Sequence, residues 1–225
     1  MDFLKLKTPF TMMISGGSGC GKTTLVSNMI RDISHVVDTP PRKIVIVYSQ
    51  MQPLYEEIVK ISPCVVEFVE GLSKDFETEP GTLLILDDLQ GGDSRQNIKI
   101  WFTVKSHHFN TSLIYLTQNI FDKHNDHRTI SLNTHYIILF KNPRDASQVT
   151  HLAKQMFPGN TRLMVEAYKQ ATLLPHSYLL IDLRQSTPDY ARLRQDVILS
   201  GGLCKTYIFV DESSLDAERI NLSLR

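Results

Sequence analysis

Gly16-Gly17-Ser18-Gly19-Cys20-Gly21-Lys22-Thr23 constrains this chain more than any other stretch: a glycine, four residues, then Gly-Lys-Thr. Such a run builds a phosphate-binding loop only where it joins the end of a strand to the start of a helix. Both neighbours are present. Phe10 to Ser15 is short and apolar, and Lys22 to Ile33 sets Leu25, Val26, Met29, Ile30 and Ile33 at helical spacing. Glycines let the backbone turn so that successive N–H groups point inward, and the positive end of the following helix closes the nest. The ligand this implies is ATP, its phosphates surrounded by Gly16, Gly17, Ser18, Gly19, Cys20, Gly21, Lys22, Thr23 and Thr24. Lys22 is expected to reach the β- and γ-phosphates and the Thr23 hydroxyl to ligate Mg2+. Helix-end N–H groups can lower the pKa of a thiol such as Cys20. We nevertheless read Cys20 as a small filler rather than a redox group.

The rest of the chain alternates strands with helices. Strands are expected at Lys43 to Tyr48, Val65 to Val69, Thr82 to Leu86, Thr111 to Thr117, His135 to Phe140 and Ser177 to Asp182. Helices are expected at Pro53 to Ile61, Ser94 to Ser106, about Arg144 to Met156 and Thr161 to Thr172. Several strands are continuously apolar, as burial on both faces of a parallel sheet requires. This is an α/β pattern, and it predicts a P-loop NTPase fold of the RecA-like type: a three-layer sandwich on a mostly parallel central sheet. Ligands bind such sheets at the strand C-terminal ends. With 225 residues the chain is long enough for one domain, expected over 1–212, followed by a polar tail over 213–225.

Leu83-Leu84-Ile85-Leu86-Asp87-Asp88 delivers two carboxylates to one strand end. Asp87 is read as a metal ligand, through water, and Asp88 as the base that polarises an attacking water. The alternative is that one or both cap the following turn. The predicted strand Lys43 to Tyr48 lies between the two motifs, as in ATPases that add a catalytic acid. Leu113 to Thr117 carries Gln118 to another strand end, where an amide can sense the γ-phosphate or simply bond the nearby backbone.

Basic and acidic residues balance at 24 each, so any nucleic-acid or membrane contact has to come from a local patch. Cys20, Cys64 and Cys204 are dispersed without zinc-site spacing and are expected to be free thiols in a reducing interior. No apolar run reaches the roughly 20 residues of a membrane helix, and the start lacks a signal-peptide layout. A soluble, intracellular protein is expected.

Ser15 to Thr24, Leu83 to Asp88, Ser106 to Phe121 and Ser131 to Asp145 together resemble the viral genome-packaging ATPases of the FtsK/HerA superfamily. The likeness is nearest to the poxvirus-type members found in large DNA viruses, virophages and Polinton-like elements, and it covers about Thr8 to Val197. The first two stretches are shared with many ATPases, whereas the last two are more particular to this group. The resemblance implies a homo-oligomeric ring that hydrolyses ATP and moves double-stranded DNA, independently of sequence, into a preformed capsid. It implies a host-cell cytoplasm or viral assembly-site location and no membrane. Gln118 matches the glutamine sensor. An arginine from a neighbouring subunit is expected to complete each site; Arg128 is the first choice, then Arg144 and Arg95. Asp88 stands where much of the superfamily has Glu, and Val104, Lys105 and Phe109 fill positions around His107-His108 where relatives often carry arginine.

Channel-facing positive charge would come from Lys99, Lys105, Lys123 or Arg128, each of which also reads as solvated surface. His107 and His108 are adjacent rather than at ligand spacing and read as structural or DNA-facing. Two rival readings are a P-loop kinase acting on a small nucleotide-like acceptor and a module that uses ATP only as a switch. The inserted strand, the paired carboxylates, the glutamine strand end and the lack of an arginine-rich lid stand against the kinase. The intact Lys22, Thr23, Asp87 and Asp88 stand against the switch.

Overall fold

The computed structural model describes residues 4–89, 92–120, 125–144, 147–198 and 205–207. Expectations for Lys123, Cys204 and the tail over 213–225, with the domain boundary at 212, fall outside these residues. Strands β1 (Thr11–Ser15), β4 (Thr82–Asp87), β5 (Ser112–Thr117), β6 (Tyr136–Phe140) and β7 (Tyr178–Asp182) are buried at every position. Only a sheet covered on both faces permits that. With β2 (Lys43–Tyr48), β3 (Val65–Glu70) and β8 (Leu193–Arg194) they form one sheet in the order β3-β2-β4-β5-β1-β6-β7-β8.

Pairing is parallel from β3 through β6 and antiparallel from β6 to β7 and β7 to β8. β1 is therefore central, and β5 lies between it and the acidic strand β4. The strand separating the two motifs in space is thus β5. β2, which separates them in sequence, pairs with the far edge of β4.

Alternation within each strand sorts its side chains into two cores. Leu83 and Ile85 of β4 join one, Leu84 and Leu86 the other. The first core takes Leu25, Val26, Met29 and Ile30 from α1 (Lys22–Arg31), Ile33 and Val36 from α2 (Ile33–Val36), and Tyr55 and Ile58 from α3 (Leu54–Ile61). The second takes Ile98 from α4 (Gly92–Ile100), Ile130 from α6 (Asn125–Leu132), Val149 and Leu152 from α7 (Ser147–Met156), and Met164 and Ala167 from α8 (Thr161–Ala171). Helices thus lie on both faces of the sheet, and the expected three-layer arrangement holds. No helix among the described residues is long and apolar enough to cross a membrane.

Three details differ from the sequence expectation. The helix expected to reach Ile33 ends at Arg31; Asp32, at φ −104° and ψ 25°, breaks it before α2 turns onto the core. The helix expected over Ser94 to Ser106 is α4 continued through a π-helical turn at Trp101–Lys105 into α5 (Ser106–His108). The Thr103 hydroxyl donates to the Lys99 carbonyl at 2.9 Å, competing with the backbone ladder, while the wider turn lets adjacent Trp101 and Phe102 both be buried. A 3-10 turn (Asp189–Ala191) and β8 were not expected. β8 is held by Arg194, which pairs with Asp182 at 3.0 Å, both side chains 1% exposed, and donates to the Leu4 carbonyl at 2.7 Å. A fully buried arginine reads as surface in a sequence.

At the N-terminal end of the sheet the Thr11 N–H donates to His135 Nδ1 at 3.0 Å, which requires that nitrogen to be unprotonated. Burial, with Arg184 and His107 nearby, pulls the His135 pKa down to about 4. Between the unfolded value near 6.5 and about 4, the unfolded chain binds a proton that the folded one does not, so stability falls as pH falls. Urea unfolding should show this loss, at most ~1.4 kcal/mol per pH unit from this one group. His135→Asn, whose side-chain oxygen can still accept from Thr11, should lack it.

Candidate active site

Backbone requirements at the end of β1 explain the glycines. Gly21, at φ 107°, precedes the first residue of α1 in a conformation that side chains rarely tolerate. A Cβ on Gly16 would come within 2.5 Å of Cys20 Sγ and 2.7 Å of Phe140 Cβ, so the loop can pack against β6 only without one. No side chain caps α1, and its first turn carries no acidic residue. Its leading N–H groups and positive end are left to an anion. Lys22 Nζ donates to the carbonyls of Gly16 at 2.6 Å and Gly17 at 3.1 Å, which keeps the ammonium over the loop. Burial pushes the Cys20 thiol up despite the nearby Lys22 charge, as a filler residue would behave.

Register brings the second half of the site to the first. Ser15 of β1 lies opposite Thr117 of β5, and Leu116 opposite Asp87 of β4, so the three strands end level with one another. Asp87 is buried. Its Oδ2 accepts from Tyr55 Oη at 2.8 Å and from Gln52 Nε2 at 3.2 Å, and the Thr23 hydroxyl also bonds its carboxylate. Burial pushes its pKa up, and the Asp88 charge adds to this, while Tyr55, Lys22 and Thr23 pull the other way. Burial and the Asp87 charge push the Tyr55 phenol up, so it remains a donor. Asp88 turns out of the strand at φ 48°, a left-handed conformation that Asp adopts more readily than most residues, and is exposed to solvent. Adjacent residues therefore have different surroundings, one carboxylate held inside and one presented outward.

A cavity of about 1030 Å3 joins these parts. Small-molecule pockets run to roughly 300–1,000 Å3, so the space is ample for a nucleoside triphosphate. Ser18, Gly19, Gly21, Lys22, Thr23 and Thr24 line it together with Asp87, Asp88 and Gln118. Gly16, Gly17 and Cys20 shape the loop without lining the cavity. Gln118, at the exposed end of β5, is fastened by Ser15 Oγ donating to its carbonyl at 3.4 Å. Thr23 and Asp87 supply hard oxygen donors side by side. That set suits Mg2+, which takes few protein ligands and several waters, and a cation there would offset the crowding of two carboxylates.

Arg128, exposed on α6, and Arg95 and Arg144 do not line the cavity. Lys105, one of the residues considered for DNA contact, is committed within the fold. It donates to the carbonyls of Lys74 at 2.8 Å and Phe76 at 2.7 Å, with Nζ 5.6 Å from the centre of the Trp101 ring. His107 stacks edge-on against His135 at 6.0 Å and His108 against Phe109 at 5.2 Å, both before β5 and β6 and away from the phosphate loop.

Sequence reasoning missed Gln52, Tyr55, Arg31 and His176. Tyr55 carries an ordinary helical core spacing, and Arg31, which lines the cavity, reads as a helix-end cation. His176 is at φ 60°, and its Nδ1 is 3.0 Å from the Cys20 carbonyl, the position of an N–H donor clasping the loop. Only contacts between remote segments reveal these four.

A family model described as "Poxvirus A32 protein" matches residues 39–167, just over half of the chain. That range includes the acidic strand end, Gln118 and Arg128, and begins after the phosphate loop. The DNA packaging protein OPG160 of Vaccinia virus (strain Copenhagen) is 33% identical over 129 residues, which are 50% of this chain and 47% of that protein. The monkeypox virus protein of the same name is also 33% identical, over 50% of this chain and 42% of its own. The chain thus spans about half the length of these relatives. Among solved structures, the genome packaging NTPase B204 of Sulfolobus turreted icosahedral virus 2, in complex with ATP-gammaS, is similar at 14% identity. The match covers 83% of this chain and 96% of that one, at a TM-score of 0.49. The extent of the family match, over the very strands that carry Asp87 and Gln118, establishes that the chain belongs to the poxvirus A32 protein family.

Proposed function

We propose that this protein is an ATP-hydrolysing motor that translocates double-stranded DNA into a preformed viral capsid. The observation that carries the reading is that Lys22 and Thr23 line one cavity with Asp87, Asp88 and Gln118, in a chain of the A32 family. Loop N–H groups and Lys22 hold the β- and γ-phosphates, Lys22 exchanging the Gly16 and Gly17 carbonyls for phosphate oxygens. Thr23 and, through water, Asp87 would hold Mg2+. When bound, the metal neutralises charge gathering on the transferring phosphoryl group. Asp88, turned outward where it lines the cavity, takes the proton of the attacking water. Gln118 reports whether the γ-phosphate is present.

In a ring of identical subunits, an arginine from the neighbour completes each site, and Arg128, itself exposed on α6, is the residue assigned. Absence from its own subunit's cavity is what such a role requires. DNA is gripped through its phosphates, so binding is independent of sequence and weakens with salt. Of the candidates for that contact, Lys105 is held inside the fold, and Lys99 and Arg128 are the ones assigned to it. The motor works at a viral assembly site inside the infected cell, with a capsid protein as its further partner.

Phosphate release from ATP, measured with Mg2+, with and without long double-stranded DNA and across protein concentration, tests the proposal. Turnover should rise with DNA, grow more than proportionally with protein, and lose its DNA stimulation as salt rises from about 50 to about 200 mM. Lys22→Ala should lower it on the order of 10²–10³-fold, and Asp88→Asn on the order of 10²–10⁴-fold. Arg128→Ala should lower turnover of the assembled protein while leaving nucleotide binding by dilute protein unchanged. Turnover indifferent to DNA and to concentration, appearing instead when a small nucleotide acceptor is added, would replace the motor with a kinase.

A further inference from the structure

Asp87 is supported from behind by groups that belong to neither sequence motif. Tyr55, 2% exposed, rises from α3 with its ring stacked on Phe68 (centroids 5.4 Å apart, planes at 26°) and 5.8 Å from Tyr48. Tyr48 is the β2 residue in register with Asp87, and Phe68 comes from the edge strand β3, so an aromatic shelf built by three elements lies beside the carboxylate. Tyr55 Oη donates to Asp87 Oδ2 at 2.8 Å. Gln52, which also lines the cavity, donates to the same oxygen at 3.2 Å. Neither uses Oδ1.

The torsion that turns a carboxylate has broad, shallow preferences, so an Asp at a strand end is not oriented by its own rotamer. Two donors converging on one oxygen remove that freedom and leave the other oxygen directed away from both. Packing alone would not call for the hydroxyl, because phenylalanine fills the same stack. A hydroxyl placed on an acid beside Thr23 is what a metal-holding carboxylate gains from an outer support.

We propose that Tyr55, assisted by Gln52, is a positioning residue that fixes the Asp87 carboxylate for the Mg2+ of the bound nucleotide. This rests on the nucleotide reading of the cavity and extends it to a residue pair outside the motifs. It also ties the metal side of the cavity to α3 and the β3 edge.

Binding of a fluorescent ADP analogue to the full chain, by anisotropy in EDTA and then across a magnesium titration, tests it in wild type, Tyr55→Phe and Gln52→Ala. In Tyr55→Phe the affinity in EDTA should be unchanged while the magnesium midpoint rises roughly 10-fold or more. Gln52→Ala should shift the midpoint in the same direction by less. Should Tyr55→Phe not fold, the half-buried Gln52→Ala decides by the same criterion. Unchanged midpoints in the folded variants would overturn the proposal, as would an equal loss of affinity with and without magnesium, the mark of a merely structural role. Wild-type binding that ignores magnesium would overturn the positioning role and leave nucleotide binding standing. No binding by wild type would overturn both.

Discussion

The hydrogen-bond register among β1, β5 and β4 is the constraint on which the rest depends. In a parallel sheet a strand cannot slip against its neighbour by one residue without turning its side chains to the opposite face. Ile14, Leu116 and Ile85 share one core and Met13, Tyr115 and Leu86 the other, so slippage would bury the wrong set on each side. That cost fixes Ser15, Thr117 and Asp87 within one residue of a common level. The glycine loop, the Gln118 amide and the acidic pair are carried to the same edge by packing that has nothing to do with nucleotides.

The charges at that edge are arranged by depth. Asp87 is enclosed by α3 and bonded to Tyr55, Gln52 and Thr23, whereas Asp88 leaves through a left-handed turn. Two carboxylates together in a dry site would repel and take up protons. Placing one inside with donors and one outside in solvent gives two adjacent carboxylates different surroundings. The αL turn at Asp88 achieves this within a single residue.

Legibility was uneven for physical reasons. The phosphate loop and the buried strands could be read because their residue types are dictated locally, by the backbone turn at Gly21 and by two-sided burial. Helix ends were less so. Asp32 breaks α1, and the π turn at Trp101–Lys105 answers to the packing of two adjacent aromatics, a demand absent from the helix's own pattern. Lys105 read as surface charge because nothing in its vicinity along the chain says that two carbonyls about thirty residues earlier will take it up. β8 escaped notice because a two-residue strand has no period.

The sequence by itself determined the glycine loop between β1 and α1, the lysine that opens the helix, the acids that stand at a strand end, and which family's strands these are. Those features are local, so short-range spacing encodes them. Tertiary structure alone decided which strand lies between β1 and β4, that Lys105 is bound within the fold, that Gln52, Arg31 and His176 reach the cavity, and that Tyr55 reaches Asp87 from behind it. Each of these depends on side chains brought together from distant segments by the closing of two cores around one sheet. No spacing along the chain records such an encounter.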